Sequence, residues 1–298
     1  MDGLDALLHR SSTTPWERFH SSPALYLAEK VYQWGTRMPP CAAGAPGSLI
    51  CVVCISDTHN THRFQPPLPA GDLLIHAGDL TQSGSATEVA DALVWLSNQP
   101  HAHKVVIARN HDAALADRAA RTQLLKAHPT LVFLEDTATT LTVRGRTLCI
   151  YGSPHTPRHG SWPFQYPRVH PGDAAPSAAA DVWAAVPALT DVLVTHGPPF
   201  GHLDRGCAGC PALLAALWRV RPRLHVFGHI HAARGGERVT WNRAQRAYED
   251  VCAGEGGWCV LGFVRCSGGD PTGTVLINAA VVGGFKEEER LGAVVVYI

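Results

Sequence analysis

The feature that most constrains this chain is a pattern repeating from Leu49 onward: an apolar, largely β-branched run of four to six residues, followed at once by polar residues and glycine. The runs are Ile50–Ile55, Leu73–His76, Lys104–Ala108, Leu148–Tyr151, Asp191–Val194 and Leu224–Phe227, with a later pair at Thr274–Ile277 and Ala293–Ile298. Short apolar runs bounded by turn residues read as strands buried on both faces. Helical patterns at Ala86–Ser97, Asp112–His128 and Pro211–Val220 lie between several of them. Strand, loop, helix, strand encodes a sheet with helices outside it, so the expected class is α/β.

Composition bounds what such a domain can do. Hydrophobic residues make up 46 % and charged residues 17 %, against ~25 % charged in ordinary soluble domains, which predicts a sizeable core. Lys+Arg and Asp+Glu are 25 each, and no basic run is long enough to track a phosphate backbone, so nucleic acid is not an expected partner. No stretch approaches the ~18 apolar residues of a membrane span, and Met1–Arg10 lacks the basic then apolar order of a secretion signal. The expectation is a soluble, cytoplasmic protein with no membrane partner. Nine cysteines, an odd number, fit reduced thiols better than a disulfide framework.

Residues 1–48 read as an appendage: Pro23 can open a helix after Ser22, with Leu25, Ala28, Val31 and Tyr32 at helical spacing, before a Pro/Gly-rich linker at 38–47. The helix can pack on its own domain or on a partner's, which leaves the oligomeric state open. Residues 49–298 form the main domain. Two stretches break the pattern: 154–187, rich in Pro and aromatics, and an insertion at 233–273 with a helical pattern over Val239–Cys252.

The chemistry lies at the C-terminal end of each strand. Asp57 and His59 come after Ile55, Asp79 after His76, Asn110, His111 and Asp112 after Ala108, His196 after Val194, and His229 and His231 after Phe227. Ligands bind at the C-terminal edge of an open α/β sheet, so these groups should converge there. Two divalent cations ~3.5–4 Å apart need a shared carboxylate and further His and carboxylate ligands. Asp79 is the expected bridge, Asp57 and His59 grip one ion, and Asn110, His196 and His229 or His231 supply the rest. A mixed O/N set without thiolate suits manganese, iron or zinc ahead of calcium.

The ordered set Asp57-Thr-His59, Gly78-Asp79, Asn110-His111-Asp112, Thr195-His196-Gly197 and Gly228-His229-Ile-His231 resembles the motifs of calcineurin-like metallophosphoesterases, over most of residues 49–298. Further segments, 71–79, 196–204 and 221–229, resemble the metallophosphoesterase-domain-containing subgroup. The resemblance implies a four-layer α/β/β/α sandwich and two divalent transition-metal ions (Mn²⁺, Fe²⁺/Fe³⁺ or Zn²⁺). It places Asp57, His59, Asp79 and His231 on the first ion and Asp79, Asn110, His196 and His229 on the second. Hydroxide between the metals would attack a phosphoester, with His111 near the leaving oxygen and Asp112 orienting the His111 ring.

One position departs from that pattern: Arg109 stands where the family usually has glycine before Asn-His-Asp. A guanidinium beside two cations must be offset by an anion. Arg109 can clamp a phosphate or carboxylate of the substrate, turn to solvent, or block the pocket. The expected activity is phosphodiester or phosphomonoester hydrolysis of a small, anionic molecule. The alternatives are dimetal chemistry on a carboxylate, carbonyl or phenolic substrate, and a non-catalytic metal-binding protein.

Other residues carry two readings. Trp162, Phe164 and Tyr166 alternate in the long loop and can wall a substrate pocket or anchor the loop. His202 and Asp204 can support the ligands or lie on a surface loop. Cys51 and Cys54, three apart in a strand, point to opposite faces and cannot share an ion. Cys207-Ala-Gly-Cys210 has zinc-like spacing but no second pair, and Cys252, Cys259 and Cys266 lie in the insertion.

Overall fold

The structure is a computed structural model that describes residues 14–36, 49–109, 111–173, 178–254, 273–282 and 291–298. The linker at 38–47, Asn110, Cys259 and Cys266 lie outside the described residues.

Two sheets stack face to face. The first contains β1 (Cys51–Ile55), β2 (Leu73–His76), β3 (His103–Ile107), β4 (Leu131–Leu134) and β13 (Val294–Tyr297), in the order β13-β1-β2-β3-β4. All its pairings are parallel except that of β13 with β1. The second contains β5 (Thr137–Val143), β6 (Arg146–Ser153), β9 (Val192–Thr195), β10 (Leu224–Phe227), β11 (Gly235–Val239) and β12 (Thr274–Asn278), in the order β11-β12-β10-β9-β6-β5. Its inner strands are parallel and its two edges, β5 and β11, antiparallel. A two-residue ribbon joins β7 (Thr156–Pro157) to β8 (Gln165–Tyr166).

The alternation along β1 shows why buried parallel strands read as unbroken apolar runs. Val52 and Cys54 enter the core between the sheets, where they meet Ile75, Val105, Val194 and Val226. Val53 and Ile55 point the other way, into a second core shared with Val89, Leu93 and Leu96 of the helix α3 (Ala86–Ser97). A one-residue slip would exchange the two faces, so register is fixed by burial on both sides. Outside the second sheet, α6 (Pro211–Val220) and α7 (Arg243–Cys252) cover Leu193, Phe227 and Leu276. The result is the four-layer α/β/β/α sandwich expected from the motifs.

Differences from the sequence reading have local causes. The stretch Asp112–His128 is broken: a 3₁₀ turn at Ala113–Leu115 precedes α4 (Arg118–Lys126), whose cap is Asp117, its side chain accepting from Ala120 N at 2.7 Å. The pattern at Val239–Cys252 yields a helix only from Arg243, because Gly235–Val239 pairs with β12 as an edge strand. Residues 235–252 of the expected insertion are therefore built into the second sheet and its outer layer. In the N-terminal segment α1 (Pro15–Ser21) precedes α2 (Pro23–Thr36). Tyr32 of α2 is 1 % exposed and stacks on Tyr248 of α7 with ring centroids 3.8 Å apart and planes 5° off parallel. A helix α5 (Ala178–Ala184) packs Trp183 into the same outer core.

Candidate metal centre

The strand ends bring the expected ligands together through strained turns. Asp57, His59, Asp79 and His229 all adopt positive φ, between 42° and 70°. Non-glycine residues rarely do so unless the surroundings over-determine them, and such residues cluster at functional sites. Here the turns after β1 and β2 are zippered: Asp57 N donates to Gly78 O, His59 N to Asp79 O and Asn60 N to Leu80 O, at 3.0, 3.1 and 3.0 Å. Asn60 Nδ2 reaches Glu88 Oε1 at 2.6 Å, and Glu88 also closes the capping box of α3 with Ser85. Helix start and ligand loop are thus one hydrogen-bonded unit.

Two carboxylates form the centre. Asp57 is 0 % and Asp79 2 % exposed. His231 Nε2 lies 3.1 Å and His59 Nε2 3.9 Å from Asp57 Oδ1, while His59 Nε2 is 3.7 Å from Asp79 Oδ2. His196 Nε2 sits 3.7 Å from Asp57 Oδ1 and 3.3 Å from Asp79 Oδ2. Its Nδ1–H donates to Ala77 O at 2.6 Å, which orients the ring and leaves Nε2 facing the carboxylates. That buried Nε2 has no hydrogen-bond partner. Facing acceptors with nothing between them are what a cation would satisfy. Three groupings have ligand atoms within 4.8 Å of one another: Asp57, His59 and His231; His59, Asp79 and His111; and Asp57, Asp79 and His196.

Electrostatics agree with the geometry. Burial pushes the Asp57 and Asp79 carboxyls up, but His196 with His231 at Asp57, and His196 with Arg109 at Asp79, outweigh it and hold both below the usual carboxylate range. Burial lowers His59 against the pull of Asp79 and Asp57, and lowers His229 strongly, with Arg109 adding to the effect. Burial lowers His231, but its hydrogen bond to Asp57 and the Asp57 and Asp79 charges outweigh this and raise it. Of these rings, His59 and His229 are the ones shifted toward the neutral form that binds metal.

Of the residues expected from the sequence, Asp57, His59, Asp79, His196, His229 and His231 converge, and Asn110 lies outside the described residues. His111 is half-buried at the rim: its N–H donates to Asp79 Oδ1 at 3.3 Å and its Nδ1 lies 2.7 Å from Gln82 O. Asp112 does not orient that ring. Its carboxylate accepts from Arg109 N at 2.9 Å, Thr81 N at 3.0 Å and Thr81 Oγ1 at 2.9 Å, tying the Asp79 turn to the end of β3. Burial and the neighbouring Asp79 charge push its pKa up to about 8, against these donors.

The Arg109 side chain does not turn to solvent; it is 2 % exposed. Nη1 lies 3.2 Å from Asp79 Oδ2, and Nη2 lies 3.2 Å from His229 Nε2, 3.3 Å from Thr156 Oγ1 and 3.1 Å from His159 Nε2. Thr156 and His159 were not apparent from the sequence, because they come from the long loop whose path the strand pattern does not set. Pro-His-Thr-Pro-Arg-His at 154–159 was the available signal.

The aromatic loop divides its roles. Trp162 is 43 % exposed and its ring lies 4.9 Å from that of His111. Phe164 packs on the outer core of the first sheet, and Tyr166 is an anchor, bonded to Cys210 Sγ and Trp183 Nε1 at 3.1 Å each. Cys210 Sγ also caps α6. No cysteine joins the metal-ligating groupings among the described residues. His202 and Asp204 are buried, not on a surface loop: Asp204 accepts from Gly201 N and Gly209 N at 2.8 Å, and His202 lies between Glu237 and Glu249.

The fold and this constellation define a calcineurin-like phosphoesterase. The family of that description matches residues 51–233, and the chain belongs to it. It is 43 % identical over 313 residues to a protein of Emericella nidulans named probable rhamnogalacturonate lyase C, covering 99 % of this chain and 29 % of that one. It is 37 % identical over 225 residues to metallophosphoesterase domain-containing protein 1 of Homo sapiens, covering 66 % of this chain and 65 % of that one. The chain thus spans less than two thirds of the length of either relative. A solved crystal structure, 13 % identical, shares the fold with a TM-score of 0.51 over 77 % of this chain and 90 % of its own. Among the described residues no helix is long and apolar enough to cross a membrane.

Proposed function

We propose that this chain is a metal-dependent hydrolase of phosphoester bonds, acting on a small anionic phosphodiester or phosphomonoester. The observation that carries the reading is the buried Asp57 and Asp79 pair facing the unpartnered Nε2 of His196 and the rings of His59 and His231. Asp57, His59 and His231 fit one divalent transition-metal ion in donor type and spacing, and Asp79, with Oδ2 3.7 Å from His59 Nε2, is the fourth ligand the motif supplies. Such an ion, when bound, supplies Lewis acidity that polarises a phosphoryl oxygen and offsets the charge developing on it. The second ligand set fits less well, since Nε2 of His229, which belongs to that set alone, is already engaged by Arg109.

The chain's own residues supply the rest. Ala77 O holds the His196 ring by Nδ1 with Nε2 toward the carboxylates, so little reorganisation of that ring is needed on binding; His231 Nε2, now on Asp57 Oδ1, would give up that hydrogen bond to a cation. With its Nδ1 held 2.7 Å from Gln82 O, the His111 ring is oriented to use Nε2 toward a leaving oxygen. Trp162 beside it supplies an apolar wall for the alcohol portion of the ester.

The test is hydrolysis of an aryl phosphodiester and an aryl phosphomonoester with Mn²⁺, by the parent and by Asp57→Asn. The parent should cleave at least one ester. The variant should lose more than about 100-fold, beyond what loss of a residue that merely supports a ligand costs. A metal-loaded parent that cleaves neither ester would overturn the reading.

A further inference from the structure

Arg109 comes directly after β3 and turns back under the ligand turns. Its guanidinium contacts two of the groups that the motif resemblance places on a second ion: Asp79 Oδ2 and His229 Nε2, each at 3.2 Å. Thr156 Oγ1 and His159 Nε2, at 3.3 and 3.1 Å, complete a socket of acceptors drawn from three separate parts of the chain. The side chain is 2 % exposed, and arginine stays charged in proteins. A cation is therefore already present at the second seat, covalently part of the chain.

We propose that the Arg109 guanidinium replaces the second metal ion, so that this chain holds one divalent cation, at Asp57, His59, Asp79 and His231. The proposal rests on the metal-dependent reading above but is separable from it. Three observations favour replacement over coexistence. Asp79 Oδ2 faces both the guanidinium and His59 Nε2, at 3.2 and 3.7 Å, so Asp79 would link a bound ion to Arg109 as a shared carboxylate would link two ions. The lone pair of His229 Nε2 is the acceptor for Arg109 Nη2 and cannot simultaneously serve a metal. A second dication in contact with the buried guanidinium would also meet strong repulsion with little solvent screening. At the first seat Arg109 touches only the shared Asp79; none of its hydrogen bonds involves Asp57, His59 or His231.

The geometry has a consequence for chemistry: positive charge at the second seat is fixed in position and cannot activate a water by lowering its pKa as a metal does. Arg109 offers N–H donors in its place.

The experiment is metal content of the purified protein after equilibration with Mn²⁺ and removal of loosely held ion, read with the Mn²⁺ electron paramagnetic resonance spectrum. The parent should hold about one ion per chain, with the spectrum of an isolated Mn²⁺. Arg109→Gly, which empties the second seat, should hold about two, with the exchange-coupled signature of ions ~3.5–4 Å apart. Two coupled ions in the parent would overturn the proposal and leave the phosphoesterase reading standing. No bound ion in the parent would overturn both. One ion in parent and variant alike would overturn the replacement, since Arg109 would then not be what excludes the second ion. Should Arg109→Gly be insoluble, the parent's stoichiometry and spectrum decide between one seat and two.

Discussion

Gly228 and Asp57 approach so closely that a Cβ on residue 228 would lie 2.0 Å from Asp57 Oδ2 and 2.2 Å from Ser56 Oγ. The backbone after β10 must lie against the carboxylate for His229 N to reach Asp57 Oδ2 at 3.0 Å, and only glycine permits this. Gly228→Ala should displace Asp57 or His229 and cut hydrolysis by more than about 100-fold, with a stability loss of roughly 1–3 kcal/mol from overpacking. Metal affinity from calorimetry checks it: affinity equal to the parent's would contradict the cradle.

Asp112 acts through the backbone. Its oxygens accept from the N–H groups of Arg109 and Thr81 and from the Thr81 hydroxyl, so an amide in its place would set N–H against N–H. Above about pH 8, where Asp112 is ionised, Asp112→Asn should lose roughly 1–3 kcal/mol, the cost of stranding buried donors, and shift Asp79 and Arg109 together. Urea unfolding measures the first effect, and a fall in kcat larger than any change in KM would report the second.

The convergence of Asp57, Asp79, His196, His229 and His231 was legible because each lies within four residues of the end of a strand buried on both faces, where the apolar run announces itself. Helices at 86–97 and 211–220 were legible to the residue for the same reason: caps and apolar stripes agree at Ser85 and at Pro211. The edges were not. Thr137–Val143 has one exposed face and a row of threonines, so its hydrophobic signal is half that of an inner strand, and β4 and β11 are edge strands too. The direction of Arg109 was open, since it depends on acceptors at Thr156 and His159 delivered by a loop far along the chain. Asp112 was assigned to the adjacent imidazole on sequence proximity, whereas its partners lie on the Asp79 turn, 31 residues away for Thr81.

His202 should make stability fall in alkali. Burial lowers its pKa, but Glu237 at 2.6 Å and Glu249 at 3.3 Å outweigh burial and push it up to about 10; Tyr32 OH and Gln245 Nε2 are its other polar neighbours. Below about pH 6.5 the ring is charged in folded and unfolded chains alike, and the contribution is full. Between about 6.5 and 10 only the folded chain keeps the proton, so stability declines by up to about 1.4 kcal/mol per pH unit, and the contribution is gone above about 10. Urea midpoints across that window should fall in the parent and stay flatter in His202→Gln. Parallel profiles would contradict the assignment.

Tyr32 anchors the N-terminal helix to α7 by stacking on Tyr248 and donating to Gln245 Oε1 at 2.9 Å. Tyr32→Ala should cost about 3 kcal/mol, typical of an aromatic removed from a core. Because the stack lies outside the ligand cluster, kcat with Mn²⁺ should be unchanged at a temperature well below the lowered Tm.

The most direct measurement is the anomalous-scattering map of a crystal grown with Mn²⁺. A peak enclosed by Asp57, His59, Asp79 and His231, with the Arg109 guanidinium still on Asp79 and His229, is the predicted result. Strand ends without a peak there would contradict the metal centre at the heart of the proposed chemistry.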